Sequence, residues 1–192
     1  MASLPLPRMT LQQYLEREDR SEVRHEFFAG EVFEMEAASF RHQRITARFS
    51  AATAATLEAM GCELHTHGTR IATSKDGLYT YPELIILCGQ PKFLDADPNT
   101  LANPKAIVEI LSPSTKDYDR GTKFQLYRGL ASLEEYINIH QDSPYIEHHF
   151  KQPDGTWAIR DLRGLDATLR LASLDIEIPF TRLWAGIEFD AA

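Results

Sequence analysis

The feature that most constrains the fold of this chain is a glutamate carried by each of two short aliphatic runs. Glu83 belongs to the run Pro-Glu-Leu-Ile-Ile-Leu, and Glu109 lies inside Ala-Ile-Val-Glu-Ile-Leu. Runs of four to eight aliphatic residues rich in Ile and Val are typical of buried strands. A carboxylate in such a strand is costly to bury unless it is paired, protonated or bound to a metal. Two of them in consecutive strands are therefore difficult to explain by packing alone.

The segment after the second run predicts a helix that carries basic residues. Ser114-Thr115-Lys116-Asp117 has the pattern of a capping box, and the helix that it opens extends to about Arg128 and contains Arg120 and Lys123. Lys123 also forms an i,i+4 pair with Asp119, which needs no catalytic role. Because two embedded acids precede it, we favour a functional Lys123 that points back at Glu83 and Glu109.

The rest of the chain alternates helical and strand patterns, which indicates an α/β fold with a mixed sheet flanked by helices. At 192 residues we expect a single domain over 1–192, with residues 1–8 as a loose arm. We predict helices over 10–19 and 39–60, a hairpin over 24–35, strands over 62–74, 79–88 and 105–111, a surface loop over 89–104 and a β-rich C-terminal third over 133–181.

Composition limits the class of function. The net charge of −8 argues against a broad nucleic-acid-binding surface, although a local basic groove is compatible with it. No apolar run reaches the length of a membrane span, and no signal sequence is recognisable. The two cysteines are too few for a disulfide framework, and Cys88 reads as a core thiol. We therefore expect a cytoplasmic protein that does not interact with membranes.

These motifs together resemble the restriction-endonuclease-like (PD-(D/E)XK) superfamily, and more closely a large bacterial family with that fold. The resemblance covers nearly the whole chain. It rests on Gly30-Glu31-Val32, His42, Tyr81-Pro82-Glu83, the segment from Val108 to Thr115 (VEILSPST), Asp119 and Lys123. Two positions depart from the superfamily pattern. Glu83 replaces the usual aspartate, and Leu111 occupies the position of the strand lysine, so the lysine must come from the following helix.

The resemblance implies a restriction-endonuclease-like core that hydrolyses phosphodiester bonds of DNA with Mg²⁺ or Mn²⁺. It assigns metal binding to Glu83, Glu109 and the backbone carbonyl of Ile110, and a catalytic role to Lys123. Oxygen ligands of this kind suit a hard cation. Glu31 is a candidate third acid near the metal, and the alternative is an exposed hairpin glutamate. A homodimer is also expected, both from the family and because the β-rich C-terminal third must cover its edge strands.

Several further side chains have two interpretations. Arg41 and Arg44, near the start of the helix over 39–60, either meet DNA phosphates or carboxylates of the site, or form a solvated face. His42 is a candidate to support the metal-binding acids or to contact a phosphate, and the alternative is a histidine that caps or solvates the helix start. Arg120 is a further candidate for phosphate contact. The spacing of His65 and His67 fits zinc, but no further Cys/His cluster supports such a site. Ser112 and Ser114 are explained by Pro113 and a helix cap rather than as nucleophiles. At the level of function, the alternative to a nuclease is a catalytically silent binding or assembly module with the same fold.

Overall fold

The computed structural model describes residues 8–35, 37–66, 68–95, 97–112 and 119–189. Its helices are α1 (Leu11–Glu18), α2 (Phe40–Ala59), α3 (Phe124–Tyr127) and α4 (Phe180–Leu183), with a π-helical turn over Asp119–Lys123 and a 3₁₀ turn over Ala172–Leu174. Its strands are β1 (His25–Phe28), β2 (Glu31–Glu34), β3 (Cys62–Thr66), β4 (Arg70–Ala72), β5 (Tyr79–Thr80), β6 (Leu84–Cys88), β7 (Phe93–Leu94), β8 (Asp97–Leu101), β9 (Ala106–Leu111), β10 (Glu135–His140), β11 (Tyr145–Lys151), β12 (Trp157–Arg163), β13 (Thr168–Leu171) and β14 (Ile176–Pro179).

The strands form three sheets. The central sheet has the order β12-β11-β10-β9-β6-β3, a second sheet has the order β2-β1-β5-β4-β8-β7, and β13 and β14 form a hairpin. Strand β10 runs parallel to β9, whereas β6 and β11 run antiparallel to their neighbours, so the central sheet is mixed. The predicted α/β class with a mixed sheet and a β-rich C-terminal third is therefore confirmed.

Both faces of the central sheet are covered because its inner strands are aliphatic on both sides. One face packs against α2, the β13–β14 hairpin and α4, with side chains such as Phe49, Val108 and Trp184 in that core. The other face carries Ile85 and Ile107, which pack with Tyr127 and Tyr136. Glu109 belongs to this second face, because it is two residues from Ile107 along β9.

The two helices predicted in the N-terminal third are confirmed, and their caps explain their bounds. Thr10 and Gln13 form the capping box of α1. The side chain of Ser39 caps α2, and Gly61 follows the end of that helix with a positive φ of 67°. The hairpin turns at Ala29 and Gly30 as predicted, since both residues have positive φ.

Two strand predictions and one loop prediction are wrong in detail. The strand over 62–74 is two strands, β3 and β4, which belong to different sheets, and the strand over 79–88 is interrupted between β5 and β6. The surface loop over 89–104 contains β7 and β8. In β8 the polar residues Asp97 and Thr100 are buried, and the Arg70 guanidinium bonds them at 2.5 Å and 2.8 Å, respectively.

The expectation for the cysteines is also corrected. Cys62 and Cys88 are directly opposed in the β3–β6 pair and form a disulfide, so Cys88 is not a free core thiol. The capping box at Ser114 and most of the predicted N-terminal arm lie outside the described residues, as does His67. Within the described ranges, no helix is both long and apolar enough to span a membrane.

Candidate active site

The register of the central sheet places Glu83 opposite Glu109. Strands β6 and β9 are antiparallel, with Leu84 opposite Val108 and Ile85 opposite Ile107. One step further along the same register, Glu83 precedes β6 and opposes Glu109 on β9. Directly opposed residues project to the same face of a sheet, so the two carboxylates are neighbours. Strands β6 and β9 are adjacent, as the sequence predicted, but Glu83 lies immediately before β6 and not inside it.

Lys123 reaches this pair from the π-helical turn. Its Nζ lies 3.0 Å from Glu109 Oε1, 2.8 Å from Glu26 Oε1 and 3.3 Å from Asp119 Oδ1. The lysine is only 4% exposed, so these carboxylates replace its hydration shell. π-Helical turns are uncommon and occur frequently at functional sites. The chain therefore folds back over β9 as the sequence prediction required.

Tyrosine and threonine hydroxyls hold the acids around Lys123. Tyr127 donates a hydrogen bond to Glu109 Oε1 at 2.9 Å, and Thr80 donates one to Glu26 Oε1 at 2.5 Å. Tyr136 donates to the backbone carbonyl of Asp119 at 2.9 Å, which fixes the π-helical turn to β10. These bonds restrict the rotamers of side chains that burial has already removed from water.

Several carboxylates surround the Lys123 ammonium, and their charges, together with burial, shift the pKa values of the site. Burial raises the pKa of Glu109 to about 8; Lys123 opposes this rise, and Asp119 and Glu83 add to it. Burial by itself lowers the pKa of Lys123, but the surrounding carboxylates, Glu109 first, raise it well above its usual range. The lysine is therefore charged at neutral pH, and a cation bound beside Glu109 would favour the charged form of its carboxylate.

His42 is also part of this centre. Its side chain is buried, and its Nε2 lies 3.0 Å from Glu83 Oε1. The histidine is placed by the start of α2, where its backbone N–H donates to the capping Ser39 Oγ at 3.1 Å. His42 therefore orients Glu83, which corresponds to the supporting role that was one of its interpretations from the sequence.

Glu26 occupies the position near Lys123 for which the sequence suggested Glu31. The Glu31 side chain is 41% exposed and pairs with Arg8 at 3.2 Å. Glu26, by contrast, is buried on β1 beside Phe27. The signal for Glu26 was present in the sequence, because it is a carboxylate embedded in the apolar segment His-Glu-Phe-Phe. The structure shows Glu31 as the exposed hairpin glutamate of the alternative interpretation.

Comparison with known proteins identifies the family of the chain. A family model described as "Putative restriction endonuclease" and named Uma2 matches residues 11–181. The chain belongs to the Uma2 family. Two relatives from Synechocystis sp. are each 30% identical: "Uncharacterized protein slr1290" over 97% of both chains, and "Uncharacterized protein sll1609" over 88% of this chain and 95% of that one.

A solved structure identifies the fold of this Uma2 member. It is the crystal structure of a protein described as a putative nuclease belonging to DUF820 from Anabaena variabilis. The two superpose with a TM-score of 0.76 at 14% sequence identity, over 92% of this chain and 98% of the other. The restriction-endonuclease-like fold expected from the sequence is thereby confirmed.

The arginines predicted to meet DNA already have contacts within the Uma2 chain. Arg41 bonds Asp142 Oδ1 at 2.9 Å and the carbonyl of Glu188 at 3.1 Å. Arg44 donates to the carbonyl of Gly186 at 3.0 Å. These bonds attach α2 to the segment after α4, so phosphate binding by either arginine would have to use its remaining N–H groups.

Arg120 also forms an ion pair within the protein, because its Nε lies 2.7 Å from Glu147 Oε1 on β11. Arg120 is in the same π-helical turn as Lys123, and the two cations therefore contact acids on different strands of the central sheet. His65, the remaining described member of the proposed zinc pair, bonds Glu63 at 3.0 Å.

The donor set around Glu109 is compatible with a hard divalent cation. Glu83, Glu109 and the carbonyl of Ile110 offer only oxygen atoms. Within the described ranges, no group of three or more His, Cys, Asp or Glu side chains is positioned to hold one metal ion. Mg²⁺ does not need such a cage, because it is commonly held by one or two carboxylates and keeps several of its waters. The mutual repulsion of Glu83 and Glu109 is a second reason why a cation fits between them.

Proposed function

We propose that this protein is a metal-dependent endonuclease that hydrolyses phosphodiester bonds of DNA. The observation that carries the proposal is the contact of the buried Lys123 ammonium with Glu109, which in turn is opposed to Glu83 across β6 and β9. Buried ionisable groups with shifted pKa values are typical of catalytic centres. Membership of a family described as "Putative restriction endonuclease" agrees with this chemistry.

In this proposal Mg²⁺ or Mn²⁺ is held by Glu83, Glu109 and the backbone carbonyl of Ile110. The cation supplies neutralisation of the scissile phosphate and a lower pKa for the attacking water. Tyr127 fixes the Glu109 carboxylate for this role, since its hydroxyl bonds Oε1. Glu83 is one methylene longer than the aspartate of the superfamily motif, and the bond from His42 restrains that longer side chain.

Lys123 acts on charge that develops during hydrolysis. Its ammonium remains protonated because the acids around it raise its pKa. A fixed positive charge in a site that excludes water stabilises negative charge on the attacking or leaving oxygen more strongly than it would in bulk solvent. Glu26 and Asp119 hold the ammonium in place and supply the balancing charge.

In this proposal the DNA phosphates are contacted by Arg41, Arg44 or Arg120, and His42 supports the centre through Glu83. The net charge of −8 requires that any contact with phosphate be local. Each guanidinium has five N–H donors, so the bonds of Arg41 and Arg44 within the chain leave donors for a phosphate oxygen.

The test combines cleavage with thermal stability. The wild-type protein should cleave DNA only with Mg²⁺ or Mn²⁺, and a hundredfold excess of cation over its Kd should raise Tm by about 5–10 °C. Glu109→Gln keeps the shape of the side chain and should abolish both effects. Glu177→Gln, a change on the exposed face of β14, is the matched control and should retain both.

Two further variants distinguish the roles of Glu26 and Glu31, two acids of the β1–β2 hairpin. Glu26→Gln removes a carboxylate that contacts Lys123 and should reduce cleavage at least tenfold, an order of magnitude typical of groups that orient catalytic residues. Glu31→Gln alters an exposed side chain and should leave cleavage unchanged. If wild type shows neither cleavage nor a saturable Mg²⁺ shift, the protein is a binding or assembly module with a nuclease fold.

A further inference from the structure

A third polar side chain continues the row formed by Glu83 and Glu109. In the parallel pair of β9 and β10, Asn138 is opposite Glu109, and in the antiparallel pair of β10 and β11 it is opposite Glu147. Neighbouring strands are about 4.8 Å apart, and opposed residues share a face. Asn138 therefore lies between the two acids on the face that the π-helical turn covers.

Asn138 is fully buried, and its amide makes no hydrogen bond with the described residues. Its relative exposure is 0%, and neither Nδ2 nor Oδ1 has a partner. Buried side-chain amides are normally satisfied, and one without partners destabilises the protein that contains it. A residue with this cost at the centre of the sheet needs a reason other than packing.

Unlike Asn138, the flanking acids Glu109 and Glu147 have hydrogen-bond or ion-pair partners. Glu109 Oε1 receives the Tyr127 hydroxyl and the Lys123 ammonium, and Glu147 receives the Arg120 guanidinium. The neighbours of Asn138 along β10, Ile137 and Ile139, are aliphatic and project to the opposite face. The polar side chain thus stands at the strand position that adjoins Glu109.

We propose that the Asn138 carboxamide binds a water molecule beside Glu109 and is a positioning residue of the catalytic centre. Buried waters typically make two to four hydrogen bonds to polar groups that would otherwise be unsatisfied. The amide offers both a donor and an acceptor, and it adds no charge to a centre already rich in carboxylates. The bound water connects Asn138 to Glu109 and fixes the orientation of that carboxylate towards the cation.

The role in catalysis rests on the proposed function, whereas the water site itself does not. A high-resolution crystal structure should show an ordered water within hydrogen-bonding distance, about 3 Å, of the Asn138 amide. An amide that instead bonds directly to protein groups, with no water, overturns the inference whether or not the protein is a nuclease. Absence of cleavage by wild type together with an observed water overturns only the proposed function and the positioning role that depends on it.

Substitution tests the positioning role by separating stability from activity. Asn138→Leu removes the amide that holds the water and puts apolar atoms in its place, so Tm should stay within about 4 °C of wild type. The value of kcat should fall about 10–100-fold with little change in KM, as for other groups that orient a catalytic side chain. Asn138→Thr supplies a hydroxyl that can still bond the water. Its kcat should therefore be within about fivefold of wild type, a smaller loss than that of Asn138→Leu.

Ile139→Leu is the matched control, because it changes the same strand on the opposite face and should leave kcat unaltered. If Asn138→Leu retains wild-type kcat, or if its activity falls only in proportion to a lowered Tm, Asn138 is a structural residue and the positioning role is rejected.

Discussion

At the scale of single residues, the π-helical turn covers a face of the central sheet on which polar groups are deeply buried. His149 on β11 is one of them, and its ring packs on Phe124 with centroids 4.1 Å apart. Burial lowers the pKa of His149 to about 4, and Glu147, which favours the charged form, offsets only part of this shift. The histidine is therefore neutral in the folded protein at any pH above about 4.

This buried histidine predicts a loss of stability in weak acid. Its folded pKa is below the value of about 6.5 expected in the unfolded chain, so its contribution is complete above pH 6.5 and is lost as pH falls towards 4. At pH 5 the loss is on the order of 2 kcal/mol. His149→Phe keeps an aromatic ring against Phe124 and should reduce the fall in Tm between pH 7.5 and pH 5 by about 4–8 °C.

A second buried group, Glu109, also titrates in this pH range, and its effect on stability changes with pH in the opposite direction to that of His149. Glu109 has a pKa raised by burial to about 8, so its contribution is greatest below about pH 4.5 and is lost as pH rises to 8. Measuring His149→Phe against wild type at each pH cancels this effect. His65→Gln, which alters a partly exposed histidine on β3, should follow the wild-type curve. An unchanged pH dependence in His149→Phe would contradict the assignment.

The residue types of the centre could be predicted, but not all of its partners. Glu83 and Glu109 were evident because charge inside an aliphatic run is costly and needs an explanation. Lys123 followed from them by sequence proximity. Glu26 was missed because its contact with Lys123 joins parts of the chain about a hundred residues apart, and Asn138 was missed because its neighbours are defined only by strand register.

At the scale of elements, the β3–β6 pair contains a covalent link at the side of the central sheet. Cys62 and Cys88 are opposed in register, with Cα atoms 4.3 Å apart and a sequence separation of 26. Closing a loop of this length restricts the unfolded chain by about 3–4 kcal/mol in the loop-entropy description. The link therefore makes stability depend on the redox state of the surroundings.

Reduction should lower the stability without abolishing the fold, because β6 remains buried between β3 and β9. We expect Tm in the presence of a reductant to be about 6–16 °C below that of the oxidised protein. The double variant Cys62→Ala, Cys88→Ala should resemble the reduced protein and be insensitive to reductant. Equal Tm values for wild type with and without reductant, once thiol titration confirms reduction, would show that the bond contributes nothing.

Element boundaries were the least predictable part of the fold. The aliphatic run over 84–88 and the preceding Tyr79 and Thr80 look continuous in sequence, yet they belong to different sheets. Pro82 lies in the break, and the interruption places Glu83 at the end of the central sheet beside Glu109. Strand β8 was hidden for another reason: its Asp97 and Thr100 are polar, and their burial involves bonds from Arg70, which is distant in sequence.

At the scale of the whole molecule, the outer strand β12 is the feature that bears on assembly. In the described part of the chain, β12 pairs only with β11, so one side of it presents unpaired backbone groups. Its Ile159 is 62% exposed, whereas Arg160 and Asp161 on the same strand are the type of charged residue that protects free edges. An exposed isoleucine on a free edge favours pairing with a second chain.

We therefore expect a homodimer in which β12 contributes to the interface. Light scattering at micromolar concentration should give twice the chain mass of 21.8 kDa. Ile159→Asp places a charge in the interface and should shift the protein to monomer, whereas Leu165→Asp, in the turn that follows β12, should not. A wild-type monomer at this concentration contradicts the prediction.

If the dimer forms and DNA cleavage is observed, Ile159→Asp also tests whether cleavage of both strands depends on dimerisation. A two-fold pair of centres suits cleavage of both strands, so the monomeric variant should nick duplex DNA more readily than it cuts both strands.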